Sequence, residues 1–89
     1  MNVEYYLLLC RSVTYAQRTV QILERADLRC RMQRSPREVT GRGCAYAVRV
    51  APRDLAAALQ RLAQEQFLPY SVYGWQAGAY YEVAYYDLL

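Results

Sequence analysis

The sequence predicts an α+β sandwich of ferredoxin-like βαββαβ order, an antiparallel sheet with two helices on one face. Three observations carry that reading. The run Val3 to Cys10 is apolar at both odd and even positions, the pattern of a central strand covered on two sides. Two stretches repeat apolar residues at helical spacing behind helix-starting residues. The segments around and after them alternate apolar and polar residues as strands do.

Taken in order, Val3 to Cys10 is the first strand. Ser12 and Thr14 both offer a helix start, and Thr14 with Gln17 three residues on makes a capping box. Ala16, Val20, Leu23 and Asp27 follow the helical repeat, with the end expected near Ala26, where Arg25 suits the negative C-terminus. Leu28, Cys30 and Met32 then alternate with Arg29, Arg31 and Gln33, a half-exposed edge strand whose charged row discourages pairing with another chain. Cys44 to Val50 is the third strand, with Cys44, Tyr46, Val48 and Val50 on one face.

Pro52 and Asp54 suit the first turn of a second helix, and Leu55, Ala56, Leu59, Leu62 and Ala63 form its stripe before Pro69. Tyr70 to Trp75 is the fourth strand. Gln76-Ala77-Gly78 reads as a turn, and the segment after it repeats a Tyr-Tyr pair at 80/81 and 85/86. Strand and short helix both suit that segment, and the β-propensity of tyrosine and valine favours an extra strand. The expected division is a 1–75 domain and a 76–89 tyrosine-rich extension that packs on the domain or on a partner.

At 89 residues the chain suits one domain with a single layered core. Its eleven positive residues are all arginine, and histidine is absent. Without lysine there is no Schiff base or P-loop, and without histidine no triad, histidine metal site or neutral-pH proton shuttle. The exclusive use of arginine extends to ordinary surface positions such as Arg18 and Arg61, so it reads as a compositional bias. A net charge of +3, spread along the chain, does not mark a nucleic-acid binder. Three cysteines without a C-x-x-C pair argue against a disulfide framework or a zinc knuckle, and a reducing cytoplasm is expected. The N-terminus lacks the pattern of a signal peptide, and no segment reaches membrane-spanning length.

Chemistry concentrates in Ser35 to Cys44, a Gly- and Arg-rich loop that delivers a thiol to the head of a strand. Fixed positive charge from Arg37 and Arg42 lowers a thiol pKa, and backbone N–H groups near Gly41 and Gly43 can form an anion nest. On position alone, Cys44 also reads as a small apolar residue closing a buried strand. Arg37 and Glu38 equally suit a salt bridge that only shapes the loop. Cys30 and Met32 read as core, and so, chiefly, does Cys10. In the strand order 4-1-3-2 of this topology, the end of the first strand lies beside the start of the third, which brings Cys10 near Cys44.

Several of these elements together resemble a known family. They are Tyr5-Tyr6-Leu7-Leu8, the helix start at Ser12 to Thr14, Pro36-Arg37-Glu38, Cys44 with Arg49-Val50, and Pro52-Arg53-Asp54-Leu55. From Glu4 to about Trp75 the chain resembles the selenium/sulfur carrier protein-like family. The resemblance implies that Cys44 bears a persulfide or selenosulfide, with Pro36, Arg37, Glu38, Gly41, Arg42 and Gly43 as its anion-tolerant setting and Cys10 as a candidate resolving thiol. It implies a carrier rather than an independent enzyme, with no metal or organic cofactor. Its partners would be proteins that donate and accept sulfur or selenium. This chain departs from the family's pattern in carrying Ala45 where glycine is usual, and one extra loop residue.

Two rival classes follow from the same elements. Arg42-Gly43-Cys44-Ala45-Tyr46-Ala47 partly echoes the third-strand signature of RNA-recognition motifs, but Cys44 replaces the first stacking aromatic and Arg49 falls where an inward aromatic is needed. Binding of nucleic acid is therefore not expected. A protein-interaction or regulatory module, dimeric through its sheet, requires no chemistry at Cys44 and is the remaining alternative.

Overall fold

Leu7, Leu8 and Cys10 are fully buried and Leu9 nearly so, which requires a strand with cover on both faces. The computed structural model describes residues 3–40 and 46–89, and in it this strand, β1 (Tyr5–Cys10), lies in the middle of the sheet. Its neighbours are β3 (Tyr46–Val50) and β4 (Ser71–Gln76), and β2 (Cys30–Arg34) and β5 (Ala79–Val83) form the edges. The order is β2-β3-β1-β4-β5 with every pairing antiparallel. The protein is thus an α+β fold built on one five-stranded antiparallel sheet.

Register fixes which side chains share a face. Tyr6, Leu8 and Cys10 oppose Val50, Val48 and Tyr46, and with Val72 they face the helical layer. Against them pack α1 (Val13–Arg25) through Ala16, Ile22 and Leu23, and α3 (Leu55–Gln64) through Leu55, Ala58, Leu59 and Leu62. Ala56, expected in the α3 stripe, is exposed, because the apolar face runs through Ala58 instead.

Helix ends follow local chemistry. Ser12 is the N-cap of α1, its Oγ accepting from the Tyr15 N–H at 3.1 Å. Thr14, the capping-box candidate, lies inside the helix instead. Both long helices end in the same way. Asp27 and Gln66 take left-handed φ values of 61° and 57°. The Leu28 N–H reaches Leu23 O at 3.0 Å, and the Phe67 N–H reaches Leu62 O at 2.8 Å. These are Schellman closures without the usual glycine. Pro52–Asp54 adds a 3-10 turn ahead of α3.

One sequence expectation is corrected in the β2–β3 connection, and at the C-terminus the extra strand is present. The connection contains a short helix, α2 (Arg37–Thr40), where a loop was expected. Its Val39 is only 5% exposed and packs on Leu7, Leu9 and Ala47. On the second face of β1, Leu7 and Leu9 are thus packed by Val39 of this connection together with Tyr73 and, from the tyrosine-rich tail, Tyr80. The tail is both strand and helical turn. It forms β5 through a two-residue hairpin at Ala77 and Gly78, whose φ values of 55° and 78° suit a type I′ turn. A 3-10 turn, Tyr85–Leu88, follows and buries Tyr85, whose hydroxyl donates to Pro69 O at 3.0 Å.

Candidate functional site

The segment that carries the predicted thiol is held at both flanks. On its near side, Val39 anchors α2 to the sheet. On its far side, Tyr46 begins β3 and pairs with Cys10 of β1 and Arg34 of β2. Gly41, Arg42, Gly43 and Cys44, four of the predicted site residues, lie outside the described residues. Pro36 is half-buried and its carbonyl accepts from the Val39 N–H at 3.1 Å. Arg37 and Glu38 are both exposed on α2, so their charges act through solvent.

Sequence reasoning missed two further arginines at this end of the sheet. Arg34 sits across from Tyr46, its guanidinium 5.7 Å from the ring centre, and Arg11 lies 4.9 Å over the Tyr70 ring. Each is held near an aromatic face in the manner of a cation–π pair. With Arg37 they leave the β2–β3 end of the sheet with a surplus of positive charge over Glu38. Their signal in the sequence was indirect, since only the strand register reveals that positions 11, 34 and 46 gather at one end.

The two described cysteines, Cys10 and Cys30, are of a different kind. Cys10 is fully buried and faces the helices, with Sγ 3.5 Å from Leu8 O and 3.9 Å from Thr19 Oγ1. For Cys10 to resolve a disulfide, the end of β1 would have to open. Cys30 is half-buried, and burial, with the Glu24 carboxylate adding to it, pushes its thiol up to about 11. At neutral pH it is protonated and a poor nucleophile.

On the second face, Arg49 is half-exposed and its guanidinium lies 3.8 Å over the Tyr5 ring. An RNA-recognition register would send that position into the core and present Tyr46 on the open face. Here Tyr46 packs with the helix-side core instead, so strand parity is the reverse of that register. The open face carries its own aromatic group: Trp75 stacks on Tyr5 at 6.3 Å, and the Tyr5 and Tyr80 hydroxyls are 2.6 Å apart. Burial and that hydrogen bond raise the Tyr80 phenol above its ordinary range. Among the described residues no helix is long and apolar enough to cross a membrane.

The fold and this site define a small α+β domain whose β2–β3 connection is clamped to the sheet and flanked by arginine. The chain belongs to the Se/S carrier protein-like family, whose model matches residues 5–74. No curated protein and no solved structure matches the chain.

Proposed function

We propose that the protein is a sulfur or selenium carrier, with Cys44 holding a persulfide or selenosulfide for delivery to a partner enzyme. The family match over residues 5–74 carries this reading. The clamped β2–β3 connection and the arginines around it support it, because a carrier needs a fixed, anion-tolerant thiol more than it needs acid/base catalysts. The strand order, which read from β4 runs 4-1-3-2, supports a ferredoxin-like frame with β5 and the 76–89 extension added at its edge.

The loading step is an exchange in which the Cys44 thiolate attacks the terminal sulfur of a donor persulfide. A new S–S bond forms on Cys44 as the donor's S–S bond breaks, and the donor cysteine leaves as its thiolate. No external oxidant is needed, because the transferred sulfur keeps its oxidation state. Arg37 and Arg42, with the N–H groups near Gly41 and Gly43, would stabilise the perthiolate. Donor and acceptor are proteins in this reading, and the compartment is the reducing cytoplasm, where a free thiol persists.

Intact mass after incubation with a cysteine desulfurase and cysteine tests the reading. One added sulfur on Cys44, absent from Cys44→Ser and diminished in Val39→Ala, is expected. Failure of wild-type protein to take up sulfur, or equal uptake by Cys44→Ser, overturns it and leaves an interaction module in which Cys44 is inert.

A further inference from the structure

Four arginines line one open cleft of about 310 Å³ at the end of β3 remote from Tyr46. Arg31 of β2 and Arg49 of β3 stand directly opposite each other, Arg29 precedes β2, and Arg53 belongs to the 3-10 turn ahead of α3. The cleft's carboxylates are Glu4 and Asp54, which leaves two positive charges in excess. Among the described residues none of the four arginines is ion-paired or hydrogen-bonded to another residue.

That arrangement is unfavourable without a counter-charge. Like charges directly opposite on neighbouring strands destabilise a sheet, and among the described residues no carboxylate is ion-paired to Arg31 or Arg49. Arg49 is also pre-positioned. Its guanidinium carbon lies 3.8 Å over the Tyr5 ring centre, and the Trp75 ring lies near-parallel to Tyr5 with centroids 6.3 Å apart. Held over that ring with no hydrogen-bond or ion-pair partner among the described residues, the Arg49 guanidinium offers a planar fork of N–H donors that suits a phosphate oxygen pair.

We propose that this cleft binds a phosphate dianion, either free phosphate or the phosphate group of a small monoester, with Arg31 and Arg49 as its principal donors. The surplus of two positive charges matches that dianion. The proposal does not depend on the carrier reading, although Glu38 of the β2–β3 connection acts on the same Tyr80 phenol as Arg49.

Amide-resolved NMR titration of the full chain, at ionic strength matched with chloride, tests the site with inorganic phosphate and phenyl phosphate as probes. Saturable shifts at Arg31 and Arg49 are expected. Arg31→Gln and Arg49→Gln should each weaken binding by about 10-fold or more, as the loss of a charge-assisted hydrogen bond does, while Arg18→Gln on α1 should match wild type. Saturating phosphate should also raise the wild-type melting temperature, by on the order of 5 °C. Tighter binding of phenyl phosphate would identify a monoester ligand, and equal or tighter binding of inorganic phosphate would identify the free ion. Absence of saturable shifts with both probes in wild-type protein, or an equal loss in Arg18→Gln, overturns the proposal. Arg31 is exposed, so its variant removes a charge without opening the core.

Discussion

Tyr81 lays its ring across Gly74, so closely that a Cβ added at position 74 would sit 2.7 Å from Tyr81 Cζ. The two residues pair across β4 and β5, and Gly74 also pairs with Tyr6 on β1. Glycine in a strand often marks such a close approach. Gly74→Ala should therefore lower stability by about 1 kcal/mol. The cost stays modest because Tyr81 is 39% exposed and its ring can swing outward. In a Tyr81→Ala background the cost should disappear. Urea unfolding of the four members of this cycle checks it, and an undiminished cost in the double variant would place the strain elsewhere.

The three thiols should separate by reactivity. Cys30, with its thiol near 11, carries on the order of 100-fold less thiolate at neutral pH than an unperturbed cysteine, and Cys10 is sealed beneath α1. Iodoacetamide should therefore modify native protein at one fast site, expected at Cys44, and reach Cys10 and Cys30 only on unfolding. Peptide mapping of a short alkylation pulse reads this directly, and rapid labelling of Cys10 would reveal an opening of β1 in the native state.

How much of this was legible in the sequence depends on the range of the signal. The core strand announced itself through Leu7, Leu8 and Leu9, and the helical stripes through Ala16, Leu23, Leu59 and Leu62, because burial periodicity is local. Val39 gave no such sign. A lone apolar residue in a polar loop has no period, and its burial depends on a sheet face assembled from distant segments. Arg34 and Arg11 were invisible as site residues for the same reason, and the Arg31/Arg49 pair needed the β2–β3 register. The choice of Ser12 over Thr14 as the cap turned on a shift of two residues, where both offer a hydroxyl and local propensity does not decide.

Alkaline pH should destabilise the fold through its buried thiol and phenols. The Cys30 thiol and the phenols of Tyr6, Tyr15 and Tyr85 are all raised, chiefly by burial, with Tyr85 pushed up to about 12. Each holds its proton more tightly in the folded chain than in the unfolded one, where thiols release theirs near 9.0 and phenols near 10.0. Stability is thus fully present below about pH 9 and falls as pH rises toward 12. Thermal melts by circular dichroism across that range check the direction. Tyr85→Phe should flatten the decline while lowering stability at neutral pH by about 1 kcal/mol through loss of the hydrogen bond to Pro69.

Removal of residues 79–89 should do more harm than trimming a loose end. The deletion strips β5 from β4, where five residue pairs are in register from Val72↔Val83 to Gln76↔Ala79, and leaves β4 as an unpaired edge carrying Val72, Tyr73 and Trp75. It also removes Tyr85 from the helix-side core and Tyr80 from Tyr5 and Trp75. Burying one large apolar side chain is worth about 1.5–3 kcal/mol, and Tyr85 is only 5% exposed, so its loss alone is a large share of the stability of a domain this small. The truncated chain should melt at a markedly lower temperature. A bare edge beside exposed aromatics should also make it associate. Melting curves and light scattering of the 1–78 chain against the full chain decide the matter, and unchanged melting with a monodisperse monomer would mean that β4 closes the sheet without β5.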